Sequence, residues 1–75
     1  MSTSPAAPAV DVVVNGAVRT VAAGASALDL VVALGLERRP VAVEVNGRVV
    51  PRQDLAACML LAGDRLEIVT LVGGG

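Results

Sequence analysis

The sequence predicts an α+β domain in which a mixed sheet of about five strands packs on one main helix. Three observations carry this: two Asn-Gly pairs that each separate β-branched runs, one helix start with a capping box, and a closing run of alternating apolar residues. Seventy-five residues fit one small core, and 55% hydrophobic against 17% charged residues is far too apolar for a disordered chain.

The elements follow in order. Residues 11–14 and 17–21 flank Asn15-Gly16, a pair that tolerates the positive φ of a tight turn, so the domain opens with a β-hairpin. Ser26 followed three residues later by Asp29 predicts a helix starting near Ala27; Leu28, Leu30, Val31, Val32 and Leu34 put apolar residues on most of its circumference, and Gly35 ends it. This helix is expected to be short and largely buried. Pro40 opens a strand in which Val41, Val43 and Val45 share a face, and Asn46-Gly47 turns it back into residues 48–50 before Pro51 stops pairing. Leu55, Met59 and Leu60 suggest a short helix or 3₁₀ turn within residues 53–61. A Gly63-Asp64 turn then leads into a closing strand with Leu66 and Ile68 on one side, Arg65 and Glu67 on the other, and an edge expected to be open to a neighbour. Residues 1–9 read as a loose leader, 10–72 as the domain and 73–75 as a glycine tail. A helix returning the chain to a sheet in this order is the β-grasp arrangement, by analogy with that fold, with the closing strand beside the first.

Composition removes most chemistries. The chain has no His, Lys or aromatic residue and one Cys, so the usual general base, Schiff-base amine, stacking platform and thiolate metal cage are missing. A net charge of −1 without a basic run argues against nucleic acid. The longest uncharged stretch, residues 1–10, falls short of the roughly 20 residues of a membrane span. A lone Cys58 excludes an internal disulfide and fits a cytoplasmic protein.

The tail is the most informative feature. Gly73, Gly74 and Gly75 have no side chains to pack, are slim enough to thread a narrow channel on a partner, and deliver one reactive group, the α-carboxylate of Gly75. Terminal glycines also occur as frayed ends, but here they follow a closing strand directly. A carboxylate is a poor electrophile, so acyl chemistry on it needs activation, typically as a mixed anhydride with AMP. The chain has no Gly-rich phosphate cradle with its Lys, so it is expected to bind no cofactor itself and to leave ATP and Mg²⁺ to an activating partner. A carrier fits better than an enzyme. Leu71 and Val72, apolar and just before the tail, are candidates for partner docking.

The stretch Val43-Glu44-Val45-Asn46-Gly47-Arg48-Val49-Val50-Pro51-Arg52, the stretch Ala62-Gly63-Asp64-Arg65-Leu66-Glu67-Ile68-Val69-Thr70 and the terminal Gly-Gly resemble the ThiS family of sulfur carrier proteins of thiamin biosynthesis. The Gly-Asp turn and the Gly-Gly end are shared with other ubiquitin-like carriers, including the small subunit of molybdopterin synthase; the Asn-Gly-x-Val-Val-Pro-Arg run is more specific. The resemblance implies a β-grasp fold and a tail adenylated at Gly75 by a ThiF-type adenylyltransferase. Sulfur drawn from cysteine by a cysteine desulfurase then replaces AMP to give a thiocarboxylate, which a ThiG-type thiazole synthase consumes. Gly74 matches the second member of the family's glycine pair and Gly73 is an additional tail residue. The small subunit of molybdopterin synthase is the alternative within the superfamily, and a ubiquitin-like protein modifier is the alternative from another class. The sequence departs from the family in its leader and at Leu55, where relatives often carry an aromatic.

Other candidates have plainer readings. Cys58 could hold a persulfide, but among Ala56, Ala57, Met59 and Leu60 it reads as a small core hydrophobe. Asp29, Asp54 and Asp64 sit where short carboxylates cap backbone N–H groups. Arg48, Arg52 and Arg65 suit an acidic partner, or form a solvated face balanced by Glu44, Asp54 and Glu67.

Overall fold

A computed structural model describes residues 8–71. Strand β1 (Ala9–Val14) and β2 (Ala17–Ala22) form the first hairpin, in register from Ala9 opposite Ala22 to Val14 opposite Ala17. The turn works as its sequence requires, with Asn15 at φ 50° and Gly16 at φ 83°. Strand β1 begins at Ala9, and the Pro8 carbonyl already accepts from Ala23 N–H at 2.9 Å.

Helix α1 (Ala27–Ala33) opens on the expected capping box. The Ser26 hydroxyl accepts from Asp29 N–H at 3.0 Å, and the Asp29 carboxylate accepts from Ser26 N–H at 2.9 Å. Gly35, at φ 75°, takes the left-handed position after its last turn. The helix is less buried than its composition suggests: Ala27, Leu30 and Val31 face the core, whereas Val32 is 48% exposed. One helix lying on one sheet buries a single stripe, and among the described residues no second layer covers the opposite side.

Strands β3 (Val41–Val45) and β4 (Arg48–Val49) form the second hairpin, and β5 (Arg65–Thr70) closes the sheet. The order is β2-β1-β5-β3-β4, with β5 parallel to β1 and antiparallel to β3. The closing strand therefore lies at the centre, beside the first as expected, and the expectation that it offers an open edge is wrong. The edges are β2 and β4.

Between β4 and β5 the chain makes a 3₁₀ helix (Arg52–Ala57) and then an extended segment, so helical spacing does not carry on to Leu61. Ala27 N–H donates to the Cys58 carbonyl at 2.7 Å and Leu60 N–H to the Ala25 carbonyl at 2.8 Å, forming an antiparallel bridge between Ser26 and Met59. Alternation in this segment turns Leu60 inward and leaves Met59 57% exposed. The core comprises Val12, Val14, Val43, Leu66 and Ile68 from the sheet, Ala27, Leu30 and Val31 from the helix, and Leu55 and Leu60 from the connection. Burying each valine, leucine or isoleucine of this core contributes about 1.5–3 kcal/mol.

Candidate functional site at the end of the last strand

The β3–β5 register pairs Val45 with Leu66, Val43 with Ile68 and Val41 with Thr70, so Pro40 stands opposite Leu71. Leu71 N–H donates to the Pro40 carbonyl at 2.8 Å. Proline has no N–H to return the bond to the Leu71 carbonyl, so the two-way exchange of an antiparallel ladder is broken at this pair. Leu71, the last described residue, is 52% exposed.

Residues alternating outward on β5 and its neighbour form the face leading to this point. Val69, 54% exposed, lies opposite the half-buried Ala42, and exposed Glu67 lies opposite exposed Glu44, beyond which stands Val49 on β4. The glutamates expected to balance the arginines thus face each other across two strands. The approach to the tail is apolar beside the exit and acidic further back.

The arginines differ in what they do. Arg48 and Arg65 are exposed. Arg52, at the start of the 3₁₀ helix, donates from Nη2 to the Glu37 carbonyl and from Nη1 to the Arg39 carbonyl at 3.4 Å, so its guanidinium is held by the loop preceding β3.

The aspartates divide in the same way. Asp29 and Asp64 hold backbone N–H groups as expected: the Asp29 carboxylate accepts from Ser26 N–H, and the Asp64 carboxylate accepts from Leu61 N–H at 2.8 Å and from Asn46 Nδ2 at 2.9 Å. Asp54 does not cap its helix. It is exposed, and Pro51, which has no side-chain acceptor, occupies the cap position. Cys58 is half-buried against the core, consistent with a small hydrophobe. Leu55, 1% exposed, is a core residue and offers no surface to a partner.

Sequence reasoning treated Asn15, Asn46 and Pro40 as turn formers or strand starters. The structure adds that both asparagine side chains bond to β5 and that the Pro40 carbonyl holds Leu71. The proposed tail residues Gly73, Gly74 and Gly75, and the docking candidate Val72, lie outside the described residues. Among the described residues no three His, Cys, Asp or Glu side chains gather to hold a metal ion, and no helix is long and apolar enough to cross a membrane.

Parallel first and last strands at the centre of a five-stranded mixed sheet, with one helix packed on it, define a β-grasp domain. The model of the ThiS family matches residues 12–75, and the chain belongs to this family of small carrier proteins. A crystal structure of the thiamine biosynthesis protein ThiS from Geobacter metallireducens superposes with a TM-score of 0.73 at 34% identity, covering 87% of this chain and 99% of that one. A thiazole synthase of Paramagnetospirillum magneticum is 41% identical over 63 residues, which are 84% of this chain and 19% of that protein. The chain thus spans about a fifth of that relative's length.

Proposed function

We propose that the chain carries sulfur for thiazole formation in thiamin biosynthesis as a thiocarboxylate on Gly75. The observation that carries this reading is that the family match runs through residue 75, so it includes the glycine run that follows β5. In the first step a carboxylate oxygen of Gly75 attacks the α-phosphorus of ATP, held with Mg²⁺ by a ThiF-type adenylyltransferase, and pyrophosphate leaves. In the second, hydrosulfide attacks the acyl carbon, AMP departs with the original oxygen and the sulfur's proton goes to solvent, leaving the thiocarboxylate. The product is soft, nucleophilic and covalently tethered, so sulfide is not released. A cysteine desulfurase is the indirect sulfur source, its persulfide reduced by a thiol to the sulfide that reacts, and a ThiG-type thiazole synthase is the acceptor. Similarity to a segment of a protein named thiazole synthase supports that association.

Incubating the chain with the adenylyltransferase, ATP, Mg²⁺ and sulfide is expected to raise its intact mass by about 16 Da, oxygen replaced by sulfur at the last residue. Deleting Gly75 is expected to abolish the gain. An unchanged mass with active partner enzyme, or adducts to protein amines instead, would overturn the reading.

A further inference from the structure

Arg52 lies 13 and 15 residues beyond Arg39 and Glu37, yet its guanidinium reaches both of their carbonyls in the loop that immediately precedes β3. One of them, on Arg39, belongs to the peptide unit that carries the Pro40 nitrogen. That unit is planar, and the Pro40 ring fixes φ, so a single soft dihedral separates the plane Arg52 holds from the direction of the Pro40 carbonyl. This carbonyl in turn accepts from Leu71 N–H at 2.8 Å. The loop has its own turn, with Arg39 N–H donating to the Leu36 carbonyl at 3.0 Å, and the guanidinium ties that turn to the 3₁₀ helix.

We propose that Arg52 is a positioning residue: by holding the Glu37 and Arg39 carbonyls it aims the Pro40 carbonyl at Leu71 and fixes the place and direction in which the chain leaves the sheet. The planar fork suits this role because two donors reach two carbonyls two residues apart, which a single ammonium does less well. Bearing on delivery of the tail, the inference rests on the thiocarboxylate reading above. Its structural half, the coupling of Arg52 to Leu71, stands without it. A misdirected exit weakens the fit of substrate and transition state alike, so the effect falls on the KM for the carrier and not on kcat.

The test uses the ¹⁵N-labelled full chain with Arg52→Ala and Arg52→Lys. Amide exchange at Leu71 is expected to quicken about tenfold in Arg52→Ala, with Leu66 and Ile68 unchanged, and to recover in part in Arg52→Lys. In adenylation assays the KM for the carrier is expected to rise about three- to tenfold at constant kcat, with the same partial rescue. Folded Arg52→Ala with wild-type exchange at Leu71 would overturn the proposal, and a raised KM without that exchange change would make Arg52 a direct partner contact instead. Should Arg52→Ala fail to fold, Arg52→Lys with wild-type Leu71 exchange and a raised KM would overturn it equally. If the wild-type chain is not adenylated, the functional reading fails while the Leu71 exchange still decides the role of Arg52.

Discussion

The side-chain amide of Asn15 exchanges two hydrogen bonds with the backbone of Ile68, donating to its carbonyl at 3.0 Å and accepting from its N–H at 2.8 Å. The main chain of β1 bonds β5 through Val13 N–H to Asp64 and Asn15 N–H to Leu66, then turns away at Gly16. The amide thus supplies the next rung of the parallel ladder with side-chain atoms. Asn46 does a related thing from the other side, accepting from Arg65 N–H at 2.9 Å through its side chain while its own N–H donates to the Arg65 carbonyl.

Replacing Asn15 separates its two duties. Asn15→Ala loses the rung and places a Cβ without amide support at φ 50°, an expected cost of about 2–4 kcal/mol in urea denaturation. Asn15→Gly keeps the turn and loses the rung, so it is expected to cost about 1–3 kcal/mol. Equal stability of Asn15→Gly and wild type would mean that water replaces the amide without loss.

Glu44 and Glu67, directly opposed on the exposed face, repel each other. Glu67→Thr is expected to raise stability by about 0.3–1 kcal/mol, read as a higher Tm at low ionic strength that converges on wild type in high salt. A lower Tm would show that other partners outweigh the repulsion.

Leu55→Ala empties a site between the 3₁₀ helix and the core. It is expected to cost about 2–5 kcal/mol in chemical denaturation while leaving the adenylation KM of the folded fraction unchanged. A raised KM with intact stability would place Leu55 in a partner contact, against its burial.

Leu71 and Val69 give the exit an apolar rim. Leu71→Glu is expected to weaken productive docking to the adenylyltransferase by about tenfold in carrier KM, with little change in stability because the side chain is half exposed. Adenylation at the wild-type KM would remove this rim from the interface.

The elements were legible because local chemistry specifies them: Asn-Gly for the turns, Ser26 and Asp29 for the helix start, and alternation for β3 and β5. The candidate tail rests on composition alone, a glycine run after a strand, and lies outside the described residues. What escaped depends on partners distant in sequence. Nothing near Asn15 announces that its amide will meet Ile68, 53 residues on, or that Arg52 will reach the loop before Pro40. Met59 was misplaced because apolar residues at helical spacing also suit an extended segment when the segment bridges a helix cap. Val32 was over-buried because a hydrophobic residue on a one-layer helix still has a solvent side.

The central position of β5 has a mechanical consequence. A partner that grips the chain beyond Leu71 and draws on it hauls on a strand paired along its length with β3 and, at Arg65 and Leu66, with β1, the Asn15 side chain adding a hold at Ile68. Rungs that run across the strand resist such traction together, in shear, whereas an edge strand peeled outward yields one rung at a time. A pull on the chain beyond Leu71 would therefore load the sheet in shear rather than strip a strand from its edge.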